Sequence, residues 1–470
     1  MRIPNRTLSV ITACALVAGL HGARAQDWPQ WRGPNRDAKA ASFTAPKSWP
    51  KELTQKWKVT VGEGVATPSL AGDKLYVFAR QEGQEILRCL DAATGQELWQ
   101  DKYDALGATG PASGFSGPRC SPAVAEGKVV TLGVRGALSC LDAASGKLLW
   151  RKDDFSGALP RFFTSASPLV ADGLVVAELG GDGNGGIVAY DLTTGAEKWR
   201  WTGDAPAYAS PVLMTVGGAK LVVAQTETKV LALAVADGKL QWETPFVVEG
   251  RGYNAATPIV DGQTIIYSGS NRGTTAVRLE KEGGSLVAKP LWKNADISVQ
   301  FNSPVLKDAF VYGISGRNEF FCLSAADGHT VWTAPVTPGA PSAPSPGSSP
   351  ATPEPGAAPP PNSQPPPTAQ NPPNPDQPPG PRRGFGGPGG GGMRGGGMRG
   401  GGYGSLVDAG PVILALTPAS QLIAFTPGGS AYTELARIKV ADSPTHAYPV
   451  LSGHRIFTKD QNSVTLWTLE

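Results

Sequence analysis

Five segments of this 470-residue chain repeat one arrangement, a Gly followed four residues later by a Trp. The pairs are Gly95 and Trp99, Gly146 and Trp150, Gly195 and Trp199, Gly238 and Trp242, and Gly328 and Trp332. A short apolar run and a turn precede each Gly. The clearest versions are Leu90-Asp91-Ala92-Ala93-Thr94-Gly95, Leu141-Asp142-Ala143-Ala144-Ser145-Gly146 and Tyr190-Asp191-Leu192-Thr193-Thr194-Gly195. Two looser copies carry Ala234 or Ser324 in place of the Asp. This is the chemistry of a hairpin: the Asp carboxylate accepts from turn N–H groups, and Gly supplies a positive φ. The Trp then begins the next strand and packs its ring between layers.

Each unit also opens with a small residue and a Pro: Thr67-Pro68, Ser121-Pro122, Ser167-Pro168, Ser210-Pro211, Thr257-Pro258 and Ser303-Pro304. Pro suits the first residue of a strand, where no ladder N–H is needed. A run such as Val124 to Val134 follows, broken at Glu126-Gly127 by a turn. Each unit therefore reads as four antiparallel strands. The fifth unit departs, with a longer third turn from Glu280 to Gly284 and its Trp292 further on.

From Trp57 onward the Trp positions lie 42, 51, 49, 43, 50 and 40 residues apart, ending at Trp332. That period, with four strands per unit, predicts an all-β, eight-bladed β-propeller of four-stranded antiparallel blades. Six units run from 66 to 334. A seventh, without the Trp, spans about Ser405 to Val440. The eighth begins at Tyr448-Pro449 and has three strands before Glu470. Its fourth strand is expected from Leu53 to Val61, so that the N-terminal strand closes the ring and removes an open edge. Seven blades is the alternative count. A mostly helical protein is excluded, because long 3.6-period stretches free of Gly and Pro are missing.

Composition separates the folded part from the rest. The chain holds 60 Gly and 43 Pro. Residues 335–404 concentrate 21 of the Pro and 18 of the Gly, and are expected to be a disordered insertion, Pro-rich to 381 and then Gly-rich with Arg-Gly repeats. Arg-Gly tracts can bind RNA, but a tether between blades is the simpler expectation. Residues 1–25 read as a secretory signal. Arg2 and Arg6 start it, Leu8 to Leu20 form its apolar core, and Ala23-Arg24-Ala25 precedes the cleavage point. Ile11-Thr12-Ala13-Cys14 offers a lipid anchor at Cys14 as the lesser reading. The expected organisation is thus 1–25 signal, 26–51 N-terminal segment, 52–334 closing strand and blades 1–6, 335–404 insertion, and 405–470 blades 7 and 8.

The net charge of +3 equals the three Arg of the signal, and the insertion carries four Arg against Glu354 and Asp376. What folds is close to neutral, which argues against nucleic acid or an anionic membrane as partner. No transmembrane helix is expected. Cys89, Cys140 and Cys322 share one repeat position and are expected to be buried thiols, as is Cys120, for which a disulfide stays open. No CxxC, HExxH or CxxCH spacing occurs.

The Asp-x-x-Thr-Gly-x-x-x-Trp pattern, repeated around a four-stranded unit, resembles the pyrroloquinoline quinone (PQQ) repeat over roughly 52–334 and 405–470. Trp28-Pro29-Gln30-Trp31-Arg32-Gly33-Pro34-Asn35-Arg36 also looks like the N-terminal segment of exported bacterial proteins of this kind. The resemblance implies a structural role for Trp99, Trp150, Trp199, Trp242, Trp292 and Trp332. It admits two functions. Quinone-dependent dehydrogenases of the family carry an acidic base, a calcium or lanthanide site and usually adjacent Cys, and no two Cys are adjacent here. The other pole is a non-catalytic outer-membrane assembly scaffold.

Ligands of propellers usually bind where the inner strands begin. That directs attention to the residues ahead of each opening Pro, and the candidate cofactor-binding set is Arg119, Arg161, Tyr253, Asn254 and Asn302. Phe163, Tyr208, Arg251, Phe301 and His446 lie in the same zone. Arg119 and Asn302 could hold a quinone carboxylate or carbonyl, and Tyr253 or Phe163 could stack on a flat ring. The zone shows no pair of carboxylates, which weakens both a metal site and a general base. Asp182-Gly183-Asn184 could bind calcium but reads more simply as a hairpin turn. The favoured reading is an exported, non-catalytic scaffold binding an envelope protein or cell-surface component through the funnel face. The alternative is a PQQ-dependent dehydrogenase of alcohols or sugars.

Overall fold

The computed structural model describes residues 27–155, 157–248, 252–338 and 402–469. The signal, Cys14, Arg251 and most of the Pro/Gly-rich segment lie outside them. The described residues form eight four-stranded antiparallel sheets, seven of them meanders of four successive strands and the eighth completed by the N-terminal strand. Blade 1 comprises Ser69–Ala71, Lys74–Gln81, Gln84–Asp91 and Glu97–Asp104. Blade 8 has Val450–Ser452, Arg455–Lys459 and Ser463–Thr468, and its outer strand is Thr54–Thr60, running from Thr54 opposite Thr468 to Thr60 opposite Ser463. The expected closure by the N-terminal strand is therefore present, and the blade count is eight.

The short inner strands of neighbouring blades approach one another around a central axis. The Ser/Thr-Pro pairs explain how. The backbone N–H of Ser121 donates to the Ser167 hydroxyl (2.9 Å), Ser167 to Ser210 (2.9 Å), Ser210 to Thr257 (3.1 Å), and Thr257 to Ser303 (2.9 Å). At the ring closure the Tyr448 N–H donates to Thr67 Oγ1 (2.9 Å). A hydroxyl at this position satisfies the neighbouring blade's buried donor, and the Pro that follows has no N–H of its own to satisfy.

The outer part of the ring is joined by the Gly-Trp pairs. Gly146 turns at φ +74, and a Cβ there would lie 2.5 Å from the Trp99 ring of the preceding blade. Gly95, Gly195, Gly238 and Gly328 meet Trp57, Trp150, Trp199 and Trp292 in the same way. The indole N–H groups of Trp150, Trp199, Trp292 and Trp332 donate to Leu192, Val235, Ala325 and Gly428 carbonyls of the next blade (2.8–3.0 Å). Each of these Trp thus clamps two blades, the structural role implied by the repeat.

Candidate functional site

One face of the ring carries the connections from each outer strand to the next inner strand. Seven successive connections each put a ring into the axial funnel: Phe115, Phe162, Tyr208, Tyr253, Phe301, Tyr403 and His446. The rings touch each other in two groups. Phe162 meets Tyr253 edge-on at 4.6 Å, and Tyr208 closes the triangle at 5.9 Å from Tyr253. Tyr403 stacks on Phe301 (4.2 Å, 8° between planes) and meets His446 at 5.8 Å, and His446 meets Phe115 at 4.8 Å. They enclose a cavity of about 360 Å³.

The floor is the N-terminal segment, which threads the channel as a plug. Trp28 pairs with Leu70 of blade 1, and the Pro29 carbonyl accepts from Val124 of blade 2 (2.8 Å). Arg36 donates to the Ser167 and Pro168 carbonyls of blade 3 (2.9 Å each), and Arg32 to the Pro304 carbonyl of blade 6 (2.6 Å). Ala38 and Ala40 bond to Asp408 of blade 7, and Thr44 to Gly453 of blade 8. Trp31 forms the cavity floor. Its indole N–H donates to Thr257 Oγ1 of blade 5 (3.3 Å) and its ring meets Tyr448 edge-on at 4.8 Å. The funnel is consequently blind at its lower end.

The five candidates selected from sequence occupy different roles. Tyr253 lies in the aromatic wall. Arg119 also lines the cavity, but its guanidinium donates to the carbonyls of Phe162 (2.8 Å), Phe115 (2.9 Å) and Ala112 (3.3 Å), so it ties two connections together. Asn302 lines the cavity, yet its amide donates to the Ile314 and Gly402 carbonyls (2.6 and 2.8 Å). Asn254 is a buried bracket whose amide donates to Thr226, Glu227 and Phe246 carbonyls and whose oxygen accepts from Arg272. Arg161 is exposed on the same face, beside a second cavity of about 380 Å³ that shares Tyr208 and Tyr253 with the first. Phe163 turns at φ +65 and packs under Arg135, and its neighbour Phe162 takes the cavity position. At Asp182-Gly183-Asn184 the Asn184 oxygen accepts from the Gly181 N–H (3.3 Å), closing its own turn.

The cavity wall carries little charge. Burial lowers the His446 pKa to about 4, so the imidazole is neutral at physiological pH. Burial, the largest cause, raises Tyr403 to about 12 and also lifts Tyr208. No Asp, Glu or Cys lines this cavity among the described residues. A PQQ-metal centre needs acidic ligands for the metal and free cationic donors for the quinone carboxylates. The lining offers neither, because the Arg119 donors named above are engaged by carbonyls. The residues present do not fit that group.

Sequence reasoning missed Phe115, Phe162, Tyr403 and the plug. Phe115 sits in a long connection outside the repeat, and Tyr403 at the end of a Gly-rich stretch. The plug left a trace, two Trp and two Arg within Trp28 to Arg36.

Fold and cavity together define a closed eight-bladed propeller with a blind aromatic funnel. A family model described as outer membrane protein assembly factor BamB matches residues 82–334, and the chain belongs to this PQQ-repeat propeller family. BamB of Xanthomonas campestris is 28% identical over 278 residues, covering 56% of this chain and 64% of that protein. The quinohemoprotein alcohol dehydrogenase of Comamonas testosteroni is 30% identical over 194 residues, 38% of this chain and 26% of the enzyme. The crystal structure of that enzyme aligns at a TM-score of 0.60 with 14% identity, covering 94% of this chain and 80% of the enzyme chain. BamB from Moraxella catarrhalis aligns at 0.55 with 13% identity, covering 88% of this chain and 97% of that one. The sequence match to the Xanthomonas protein thus spans less than two thirds of its length.

Proposed function

We propose that this protein is an exported, non-catalytic scaffold of the cell envelope that holds a partner protein at the funnel face, in the manner the name of its BamB relatives denotes. The observation that carries this reading is the funnel itself. Seven rings from seven connections enclose a blind space with no acid in its wall among the described residues. Such a site suits apolar, aromatic or Pro side chains of a partner segment, because buried ring contacts supply affinity without charge pairing. A redox centre asks for the opposite inventory.

The test has two arms. In the source organism, deletion of the gene should lower the amount of assembled outer-membrane β-barrel proteins. Tyr253→Ala with Phe301→Ala should reproduce the loss while the purified variant still melts cooperatively. In the second arm the purified chain is titrated with PQQ and calcium, and dye reduction is followed with alcohols and sugars. Tight quinone binding with turnover would replace the scaffold reading by the dehydrogenase one.

A further inference from the structure

Beneath the Trp31 floor, the plug and the inner strands of blades 4, 5 and 6 enclose a cavity of about 180 Å³. Arg32, Arg36 and Lys39 line it from the plug, with Asp37, and Asp261 comes from blade 5. Arg32 is 1% exposed and Arg36 3% exposed. A guanidinium has five N–H donors and keeps its charge even when buried, so the donors must be accounted for. Arg32 spends one donor on the Pro304 carbonyl. Arg36 uses both terminal nitrogens, on the Pro168 and Ser167 carbonyls and the Gln30 side chain. The Nε–H of each Arg has no partner, and neither guanidinium is ion-paired among the described residues.

Two unpaired buried cations at the wall of one cavity are costly to hold without a counter-charge. The nearby acids do not provide one. Asp261 is exposed, the Asp37 carboxylate is half-buried and accepts from the Lys39 N–H, and neither forms an ion pair with Arg32 or Arg36 among the described residues. Glu178 is buried and lies within the field of Arg36, but burial lifts its pKa to about 8, so it keeps most of its proton at neutral pH. Burial first, then the Arg32 charge, lowers Arg36 to about 9. Arg32, Arg36 and Ala38 all have φ near +58, an unfavourable conformation for residues with a Cβ, so the backbone is strained where it presents these side chains.

We propose that this lower cavity is an anion site, which binds one small oxyanion of phosphate or sulfate size between Arg32, Arg36 and Lys39. The volume accommodates such an ion with a few waters. The donors left for its oxygens are the unpartnered Nε–H groups of Arg32 and Arg36 and the Lys39 ammonium. The site lies on the far side of the plug from the funnel, and its existence does not rest on the scaffold reading. Bound there, the anion would supply the counter-charge that the cations of the plug lack and so steady the funnel floor.

The test is calorimetric titration of the mature chain with inorganic phosphate, with sodium chloride keeping ionic strength constant and no other oxyanion present. The expected result is one saturable site per chain and a phosphate-dependent rise in melting temperature. Lys39→Gln, at a half-buried position, should weaken binding about tenfold, and Arg36→Gln should abolish it. Glycerol 3-phosphate serves as a second ligand. Equal binding identifies a phosphate carried on a larger molecule and exclusion identifies the free ion, and either supports the site. Absence of saturable binding to the wild-type chain overturns the proposal. So does an unchanged affinity in Lys39→Gln, which stays decisive if Arg36→Gln does not fold.

Discussion

Gly146 answers two demands at once. Its φ of +74 suits the turn, and the Trp99 ring occupies the space a Cβ would need. The first demand is legible in sequence, since Asp-Ala-Ala-Ser-Gly is a turn signature. The second is not, because the ring arrives from the preceding blade. The two separate by mutation. Gly72 has φ +60 and nothing within 4 Å, so Gly72→Ala should cost about 1–2 kcal/mol, the left-handed penalty alone. Gly146→Ala adds overpacking and should cost about 2–5 kcal/mol in all, read from urea unfolding. Ser210 gives a second test. Ser210→Ala leaves the buried Ser167 N–H unpaired and should lose about 1–3 kcal/mol. Ser210→Thr should melt near the wild type, since Thr257 already serves at the equivalent place. Glu178 sets a pH dependence. Its folded pKa, raised by burial to about 8, lies above the ordinary 4.5, so the folded state holds the extra proton between those values. Stability from this group is present below about pH 4.5 and is lost as pH rises through 8. Glu178→Gln should therefore gain on the wild type over that window in melts taken at several pH values, and match it at acid pH.

Within a blade, the third and fourth strands share one irregularity. A bulge follows Cys89, Cys140, Ala189, Ala232, Ala276, Cys322 and Ala424 in seven successive blades. The residue before each bulge stands opposite a Trp in six of them, as Cys140 does to Trp150. Blade 7 lacks the Trp and pairs Ala424 with Ala436. The recurrent Cys is thus explained by size: only a small side chain leaves room for the ring across the ladder. Burial raises the thiols, Cys140 to about 12, and all four described Cys are free. Cys140→Ala should cost less than about 1.5 kcal/mol, because Ala already fills the place in blades 3 to 5. A thermal melt of that variant more than several degrees below the wild type would contradict the size argument.

Over the whole molecule, closure unites the two ends of the chain. The strand Thr54–Thr60 covers the edge of Ser463–Thr468, so a chain starting at Gly62 loses both the covering strand and the plug. That edge is then open for pairing with another chain. The truncated protein is expected to melt at lower temperature and to self-associate in light scattering. An intact melting curve and a monomer would show that closure contributes little. The plug adds a second long-range tie, reaching blades 1, 2, 3, 5, 6, 7 and 8 through the bonds described above.

The sequence alone determined the ring. Turn chemistry, the opening Pro and a period near 45 residues are local signals, and their repetition along the chain points to a closed propeller that also hides its edges. It also marked the zone of the funnel, since the position ahead of each Pro has the same place in every blade. It did not determine which side chains face the ligand space. Arg119, Asn254 and Asn302 are committed to carbonyls far away in sequence, and Phe162 displaces Phe163 because of one positive φ. The floor of the funnel and the lower cavity were decided by tertiary structure only. They are built where a non-repeating segment meets many blades at once, and contacts between distant parts of the chain leave no periodic trace.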